Sequence, residues 1–208
     1  MGACGGSATI SYAYGAAKGS VSFTVLGQNP TASTVKALLT SPWFVQQLAN
    51  SESPGYLQFN SSGYPVFGGP NGYGIMMIDF NNTASDLWNW VVNVSDGLKS
   101  VSSFGTLATT WWNNQVDAFN AWNAAHTPSA QPPYDTTEGP CTFSSDPSAS
   151  MHIYSDAVWI KSYNAGPPDS SNAYIVFSAG SGAWSYQPLS TYNGKVWDYV
   201  YRVCTTSP

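Results

Sequence analysis

The stretch from Glu52 to Asp79 constrains the fold more than any other part of this chain. It opens with one of only two glutamates among 208 residues, where a short apolar helical pattern breaks at Pro54. It closes with a glycine-rich turn that leads into the apolar run from Ile75 to Ile78. Glycine allows backbone to approach a side chain closely, and functional side chains are often carried on loops held by a rigid scaffold. The stretch is therefore typical of a cleft built around one carboxyl group.

Composition excludes several classes of partner. Only 8% of the residues are charged, aromatic residues reach 15%, and six basic residues face eleven acidic ones, for a net charge of −5. Such a chain has no basic stripe for phosphates, which argues against nucleic acid and against an anionic membrane surface. No apolar run approaches the roughly 20 residues of a membrane-spanning helix. We expect a monomer with no nucleic-acid partner and no membrane span.

The cysteines predict one disulfide and no metal site. Cys4, Cys141 and Cys204 are too few for a disulfide scaffold and lack the paired spacing of a zinc site. Cys141 lies in a proline-rich loop and Cys204 at the end of the last helical pattern, so a bridge between them is expected in an oxidising compartment. The first residues lack the basic and apolar regions of a secretory signal. We expect a secreted, periplasmic or extracellular protein whose signal has been removed.

The first segment of the chain favours β structure. Residues 8–27 alternate between polar and apolar side chains, with residues 15–19 as the turn, which predicts a hairpin. We therefore interpret residues 1–29 as an N-terminal β-hairpin appendage. Residues 30–208 are interpreted as one compact domain.

The remainder of the chain has mostly helical spacing. The segment Ala173 to Phe177 is the exception and predicts a short strand. The fold class predicted from these patterns is mainly α, within α+β. Apolar residues recur at helical spacing in six places, at residues 35–39, 42–52, 85–101, 107–125, 152–163 and 196–203.

Four separated signatures stand in one order along the chain. They are Glu52-Ser53, the run from Gly74 to Met77, the helical segment from Asn93 to Leu98, and the segment from Tyr163 to Gly166. This ordered set resembles the successive motifs of lysozyme-like soluble lytic transglycosylases, relatives of goose-type lysozyme, over residues 40–204. The resemblance implies a lysozyme-like helical domain with a glycan-binding cleft. It also implies cleavage of the β-1,4 bond between N-acetylmuramic acid and N-acetylglucosamine in peptidoglycan.

Glycan cleavage needs a carboxylic acid that is still protonated when it meets the leaving oxygen, which an apolar setting favours. Glu52 is the candidate, and its prospective neighbours are the apolar residues Tyr56, Phe59, Ile75 and Met76. The resemblance implies that Glu52 then takes a proton from the muramoyl 6-hydroxyl, which gives a 1,6-anhydro product. One carboxyl suffices for that route, so no cofactor and no metal are expected. A two-carboxylate mechanism would need a partner such as Asp79 or Asp86.

The resemblance also implies roles around Glu52. Ser53 would support the carboxyl, Met76 would line the glycan cleft, and Tyr163 would hydrogen-bond near Glu52. Asn164 would bind or position sugar. Aromatic rings stack on the apolar faces of sugars, which makes Tyr73 a further substrate-binding candidate.

Each assignment has a structural alternative. Met76 is by default a core residue, Tyr163 and Asn164 before Gly166 are also typical of a helix C-terminus, and Asn93 is more typical of a residue that anchors a neighbouring loop than of one that touches ligand. Three functional interpretations follow: a lytic transglycosylase, a hydrolytic goose-type lysozyme, and a non-catalytic glycan-binding domain of the cell wall. The third is favoured by Met77, since the family's glycine-rich run usually ends in glutamine. The first is the interpretation we prefer.

Overall fold

The computed structural model of the chain describes residues 5–69, 71–79, 82–130, 147–186, 190–192, 195–197 and 199–208. The chain divides into two compact units, residues 1–98 together with Pro208, and residues 99–207. This boundary falls within a long helix. The predicted division into an appendage of residues 1–29 and a domain of residues 30–208 stays a prediction.

The described part of the first unit contains four strands and three helices before the long helix. Its strands are β1 (Gly6–Tyr14), β2 (Ala17–Val25), β3 (Phe67–Gly68) and β4 (Gly72–Tyr73), and its helices are α1 (Ala32–Lys36), α2 (Val45–Glu52) and α3 (Ala84–Trp88), followed by the start of α4 (Trp90–Ala125). The core of the unit is formed by side chains that have almost no exposed surface, among them Val35, Leu39, Phe44, Val45, Leu48, Phe59, Ile75, Met76 and Val94.

The hairpin predicted from residues 8–27 is present as an antiparallel pair. β1 and β2 pair over their whole length, with Ile10 opposite Val21 and Ala8 opposite Phe23. Because side chains alternate across a strand, these four lie on one face of the hairpin, while the other face carries mainly serine and threonine. Ile10, Val21 and Phe23 are all exposed.

The second unit combines the remainder of α4 with α5 (Pro147–Ala165), α6 (Tyr199–Thr205) and four strands. The strands are β5 (Ile175–Ser178), β6 (Ala183–Tyr186), β7 (Ser190–Tyr192) and β8 (Lys195–Trp197). β5 and β6 pair antiparallel, and the rings of Phe177 and Trp184 on them pack 5.1 Å apart. Both rings also contact Phe119 of α4, at centroid distances of 5.6 and 5.5 Å. An aromatic cluster therefore joins this sheet to the helix.

The predicted fold class, a mainly α lysozyme-like domain within α+β with a small N-terminal hairpin, is wrong. The chain is about 43% helical and 20% strand, and its described strands form four two-stranded sheets, β1–β2, β3–β4, β5–β6 and β7–β8. The fold is therefore mixed α+β. The strand predicted at residues 173–177 is present as β5, whereas the other strands of two to four residues carry too few alternating positions to be recognised. The segment predicted as a final helix from Val196 is one example, because its first two residues belong to β8.

A second correction concerns α4, which the sequence predicts as two helices with a break between residues 101 and 107. The structure has one continuous helix of 36 residues. Gly105 lies within the predicted break and is buried, and a Cβ added there would lie 2.6 Å from the indole of Trp159 on α5. The glycine is therefore required for close helix packing. None of the helices in the described ranges combines the length and the apolar character needed to cross a membrane.

α3 begins with a capping box that contains a buried carboxylate, that of Asp86. Thr83 accepts from the Asp86 backbone N–H at 3.3 Å, and Asp86 Oδ2 accepts from the Thr83 N–H at 2.8 Å and from the Thr83 hydroxyl at 2.7 Å. Burial alone would raise the pKa of Asp86. The hydrogen bonds from the backbone and side chain of Thr83, with a smaller contribution from Asp96, outweigh burial and hold this pKa below its ordinary value.

The lowered pKa of Asp86 predicts that the free energy of unfolding depends on pH in the acid range. A group whose pKa is lowered by folding stabilises the fold above its unfolded-state pKa, and that contribution is lost as the pH falls through the folded-state pKa. We therefore expect Asp86→Asn to lower the free energy of unfolding by about 1 kcal/mol at pH 7. The deficit relative to wild type should shrink below about pH 4. Urea unfolding of both proteins at a series of pH values measures this difference in the free energy of unfolding.

The matched control is Asp79→Asn, which changes an exposed aspartate of the same unit. It should leave the free energy of unfolding within about 0.5 kcal/mol of wild type. An Asp86→Asn deficit that stays constant or grows toward acid pH would contradict the assignment.

Candidate functional site

Glu52 is the last residue of α2, where the sequence places it. Val45, Leu48 and Ala49 are fully buried, and Glu52 follows them at the next position of the same helical face, since i, i+3, i+4 and i+7 share a face. This position explains why the Glu52 side chain is half-buried rather than fully solvated. The helix therefore delivers a carboxyl group at the edge of the core.

The chain after Glu52 forms a tightly bonded turn. The Ser53 hydroxyl donates to the Leu57 carbonyl at 2.7 Å, and the Gly55 N–H donates to Asn50 Oδ1 at 2.7 Å. Gly55 and Tyr56 both have positive φ, at 79° and 59°, a conformation that non-glycine residues rarely adopt. The turn fixes the direction in which the chain leaves Glu52.

Ser53 is fixed within this turn. Its side chain is 1% exposed, and its one hydroxyl hydrogen is used in the bond to Leu57. Ser53 therefore braces the turn that follows the helix. Its predicted support of the Glu52 carboxyl stays a prediction.

Two buried side-chain amides, Gln58 and Asn93, hold the glycine-rich turn, and we call them the amide clamp. Gln58 Nε2 donates to the carbonyls of Asp86 at 3.0 Å and Leu87 at 2.9 Å, and Gln58 Oε1 accepts from the Ile75 N–H at 3.2 Å. The carbonyls in the last turn of a helix have no partner within that helix. Gln58 thus satisfies the end of α3 and holds the turn in the same set of bonds.

Asn93 completes the clamp from α4. Its Oδ1 accepts from the Met76 N–H at 2.9 Å, and its Nδ2 donates to the carbonyls of Tyr73 at 2.9 Å and Asp86 at 3.3 Å. Asn93 is 0% exposed, as is Gln58. Asn93 therefore anchors a neighbouring loop, as its helical position indicates.

Gly74 fits between the two amides. Its φ is +77°, and a Cβ added there would lie 2.5 Å from Gln58 Oε1 and 2.6 Å from Asn93 Nδ2. Both the backbone conformation and the space therefore require glycine. The sequence indicated a close approach at this turn but gave no signal that Gln58 would be one of the groups approached, because an isolated glutamine has no periodicity or motif.

The two methionines of the turn have different environments. Met76, predicted to line the glycan cleft, is 0% exposed and packs against Gly97 of α4, which makes it a core residue. It cannot contact a ligand unless the turn moves. Met77 is half-buried with φ 43°, and its sulfur lies 2.9 Å from the position of a Cβ added at Gly68. Met77 therefore packs against the β3–β4 hairpin, and only the alternative interpretation of Met76 as core is confirmed.

Tyr73, the aromatic candidate for sugar stacking, belongs to β4 of this hairpin. Its ring is half-buried and lies 5.0 Å from the ring of Phe67. Its backbone is fixed, since the Tyr73 N–H donates to the Ile78 carbonyl at 3.1 Å and the Ile78 N–H returns a bond at 3.2 Å. Its role in binding sugar stays a prediction.

Tyr163 and Asn164 belong to the second unit, near the end of α5. The Tyr163 ring is half-buried and meets the Phe104 ring edge-on at 6.3 Å, while Asn164 is exposed. α5 ends at Ala165, and the following Gly166 has φ +86° with its N–H bonded to the Ser162 carbonyl at 2.9 Å. This is a glycine-capped helix terminus. The predicted hydrogen bond of Tyr163 near Glu52 stays a prediction.

The remaining chemical groups are placed as follows. Cys204 on α6 is disulfide-bonded, but Cys141 lies outside the described residues, so the pairing of the two stays a prediction. Within the described parts of the chain, no group of three or more His, Cys, Asp or Glu side chains is arranged to hold a metal ion. Asp86, one of the two considered as a second carboxylate, is engaged in the cap of α3, whereas Asp79 is exposed.

The amide clamp predicts that Gly74 does not tolerate a side chain. Gly74→Ala forces a positive φ on alanine and pushes its Cβ into both amides, so we expect the free energy of unfolding to fall by about 3 kcal/mol. Gly69→Ala is the matched control in the same stretch, because a Cβ added there meets nothing within 4 Å. It should change the free energy by less than about 0.5 kcal/mol. Urea unfolding followed by tryptophan fluorescence compares them, and equal effects would show that the clamp does not confine Gly74.

Comparison with known proteins gives no family for this chain. A scan against protein-family models found no match, and searches of curated proteins and of solved structures found none either. The likeness to lytic transglycosylases therefore depends on the four ordered sequence signatures alone.

Proposed function

We propose that this protein is a peptidoglycan lytic transglycosylase that cleaves glycan strands with Glu52 as its single catalytic carboxyl group. The observation that carries the proposal is the position of Glu52, half-buried at the end of α2 and followed by a braced turn. The four ordered signatures shared with lytic transglycosylases supply the reaction type.

The residues next to Glu52 in the sequence suit a general acid, because none of them is basic. The carbonyl end of a helix carries partial negative charge and disfavours a carboxylate there. The last turn of α2 contains no basic residue. Residues 53–78 contain no Asp, Glu, Lys, Arg or His, so the stretch that follows Glu52 supplies no cation to stabilise the ionised form.

The reaction requires two proton transfers at the same carboxyl group. The Glu52 acid gives its proton to the oxygen that bridges the two sugars, and the bond from that oxygen to C1 of the muramoyl sugar breaks. The resulting carboxylate then accepts the proton of the muramoyl 6-hydroxyl, whose oxygen bonds to C1. The product is a 1,6-anhydro ring, no water is consumed, and Glu52 ends protonated as it began. A second carboxylate is not needed.

The proposed setting is outside the cytoplasm, where peptidoglycan lies. The disulfide at Cys204 supports this, because such bonds persist in oxidising compartments. The uncharged stretch after Glu52 supports a neutral sugar chain as substrate rather than a phosphorylated one.

Replacing the carboxyl tests the catalytic assignment. Glu52→Gln keeps the size of the side chain and its position on α2 but removes the proton that is donated. We expect the rate of clearing of a purified peptidoglycan suspension to fall by at least about 100-fold, as is typical for loss of a general acid. Thermal unfolding of the variant should stay close to that of wild type.

The matched control is Glu138→Gln, which changes the only other glutamate of the chain. It should clear peptidoglycan at the wild-type rate. A Glu52→Gln protein that clears the suspension as fast as wild type would remove Glu52 from the mechanism.

A further inference from the structure

Phe67 is a large apolar side chain that the fold leaves in solvent. It is 56% exposed, although phenylalanine is among the residues most often buried. In the β3–β4 pair it stands directly opposite Tyr73, and directly opposed side chains project from the same face of an antiparallel pair. The two ring centroids are 5.0 Å apart with an interplanar angle of 50°. The hairpin therefore presents two adjoining aromatic rings, one of them largely in solvent.

The backbone beneath these rings is fixed from two sides. The Val66 N–H donates to the Gln58 carbonyl at 2.9 Å, and the Gly74 N–H donates to the Val66 carbonyl at 3.0 Å. Gly68 and Gly72 let the hairpin approach Met77, since a Cβ at either position would lie 2.9 Å from a Met77 atom. Because the turn that carries Met77 is held by the amide clamp, the ring pair has little freedom to fold back into the core.

The chemistry around the ring pair selects a neutral, polyhydroxylated ligand. Residues 53–78 carry no ionisable acid or base other than tyrosine, and the first charged side chain after them is the exposed Asp79. The stretch therefore offers no cation to a phosphate or an acidic peptide. Aromatic rings offer a flat apolar face, and sugars in β-1,4-linked strands present flat faces of C–H groups. The uncharged surroundings therefore fit a glycan better than a charged polymer.

We propose that Phe67 and Tyr73 form a stacking platform for one sugar of the glycan strand. The platform rests on the proposed function, because it supplies a binding subsite for the same substrate. Phe67 provides the exposed ring and Tyr73 holds it in place from the opposite strand. The ligand class is an N-acetylated β-1,4-linked sugar chain, and the platform binds it without touching the bond that breaks.

The platform is tested by binding in the absence of cleavage. In a Glu52→Gln background, calorimetry with a tetramer of β-1,4-linked N-acetylglucosamine reports affinity directly. We expect Phe67→Leu, which keeps apolar bulk but removes the ring, to weaken binding about tenfold. Phe67→Trp should keep or improve the affinity. Because Phe67 is exposed, both variants should retain the parent's thermal unfolding, and the Leu–Trp comparison separates the ring from general apolar burial.

The matched control is Tyr14→Ala, which removes a ring that is 87% exposed on β1 and should leave the affinity unchanged. Equal affinity of the Phe67→Leu variant and its parent would overturn the platform, and so would an equal loss from Tyr14→Ala. Sedimentation that shows a dimer lost on Phe67→Leu, with sugar binding unaffected, would overturn it too and assign the rings to self-association. A different result would contradict the proposed function, namely that the wild-type protein does not clear a peptidoglycan suspension.

Discussion

The first unit depends on two uncharged amides buried where most proteins would place apolar side chains. Burying an amide is costly unless its donors and acceptors are paired, and Gln58 and Asn93 meet that condition through the backbone of α3 and of the glycine-rich turn. Their bonds fix three features of the unit: the turn between Tyr73 and Ile78, the end of α3 and the start of α4. Without these bonds, the buried N–H groups of the turn would have no hydrogen-bond partners.

The clamp holds the glycine-rich turn without fixed charge. Gln58 and Asn93 orient the backbone of the turn through the dipoles of their amides. The stretch from Ser53 to Ile78 has no charged side chain, and the carbonyl end of α2 at Glu52 carries partial negative charge. A rigid, uncharged stretch fits the neutral sugar chain that we propose as substrate.

Sequence reasoning located the elements that have a local signal. The end of α2 at Glu52, the β1–β2 hairpin and the loop-anchoring role of Asn93 follow from periodicity and position. The continuity of α4 could not be predicted in this way, because Gly105 packs against Trp159, which lies far along the chain. Gln58 was missed for the same reason, since its partners lie 17 to 29 residues away. The run from Ala173 to Phe177 did indicate β5, but β3, β4, β6, β7 and β8 have only two to four residues and lack a recognisable period.

The most direct test of the account is the chemical structure of the ends that the protein leaves on glycan strands. Mass spectrometry of soluble fragments released from purified peptidoglycan distinguishes the two possible ends. If a single carboxyl donates one proton and then accepts another from the muramoyl 6-hydroxyl, the released strands end in 1,6-anhydro-muramoyl residues. Reducing muramic acid ends would contradict this route and show that water enters instead, and an absence of released fragments would contradict glycan cleavage altogether.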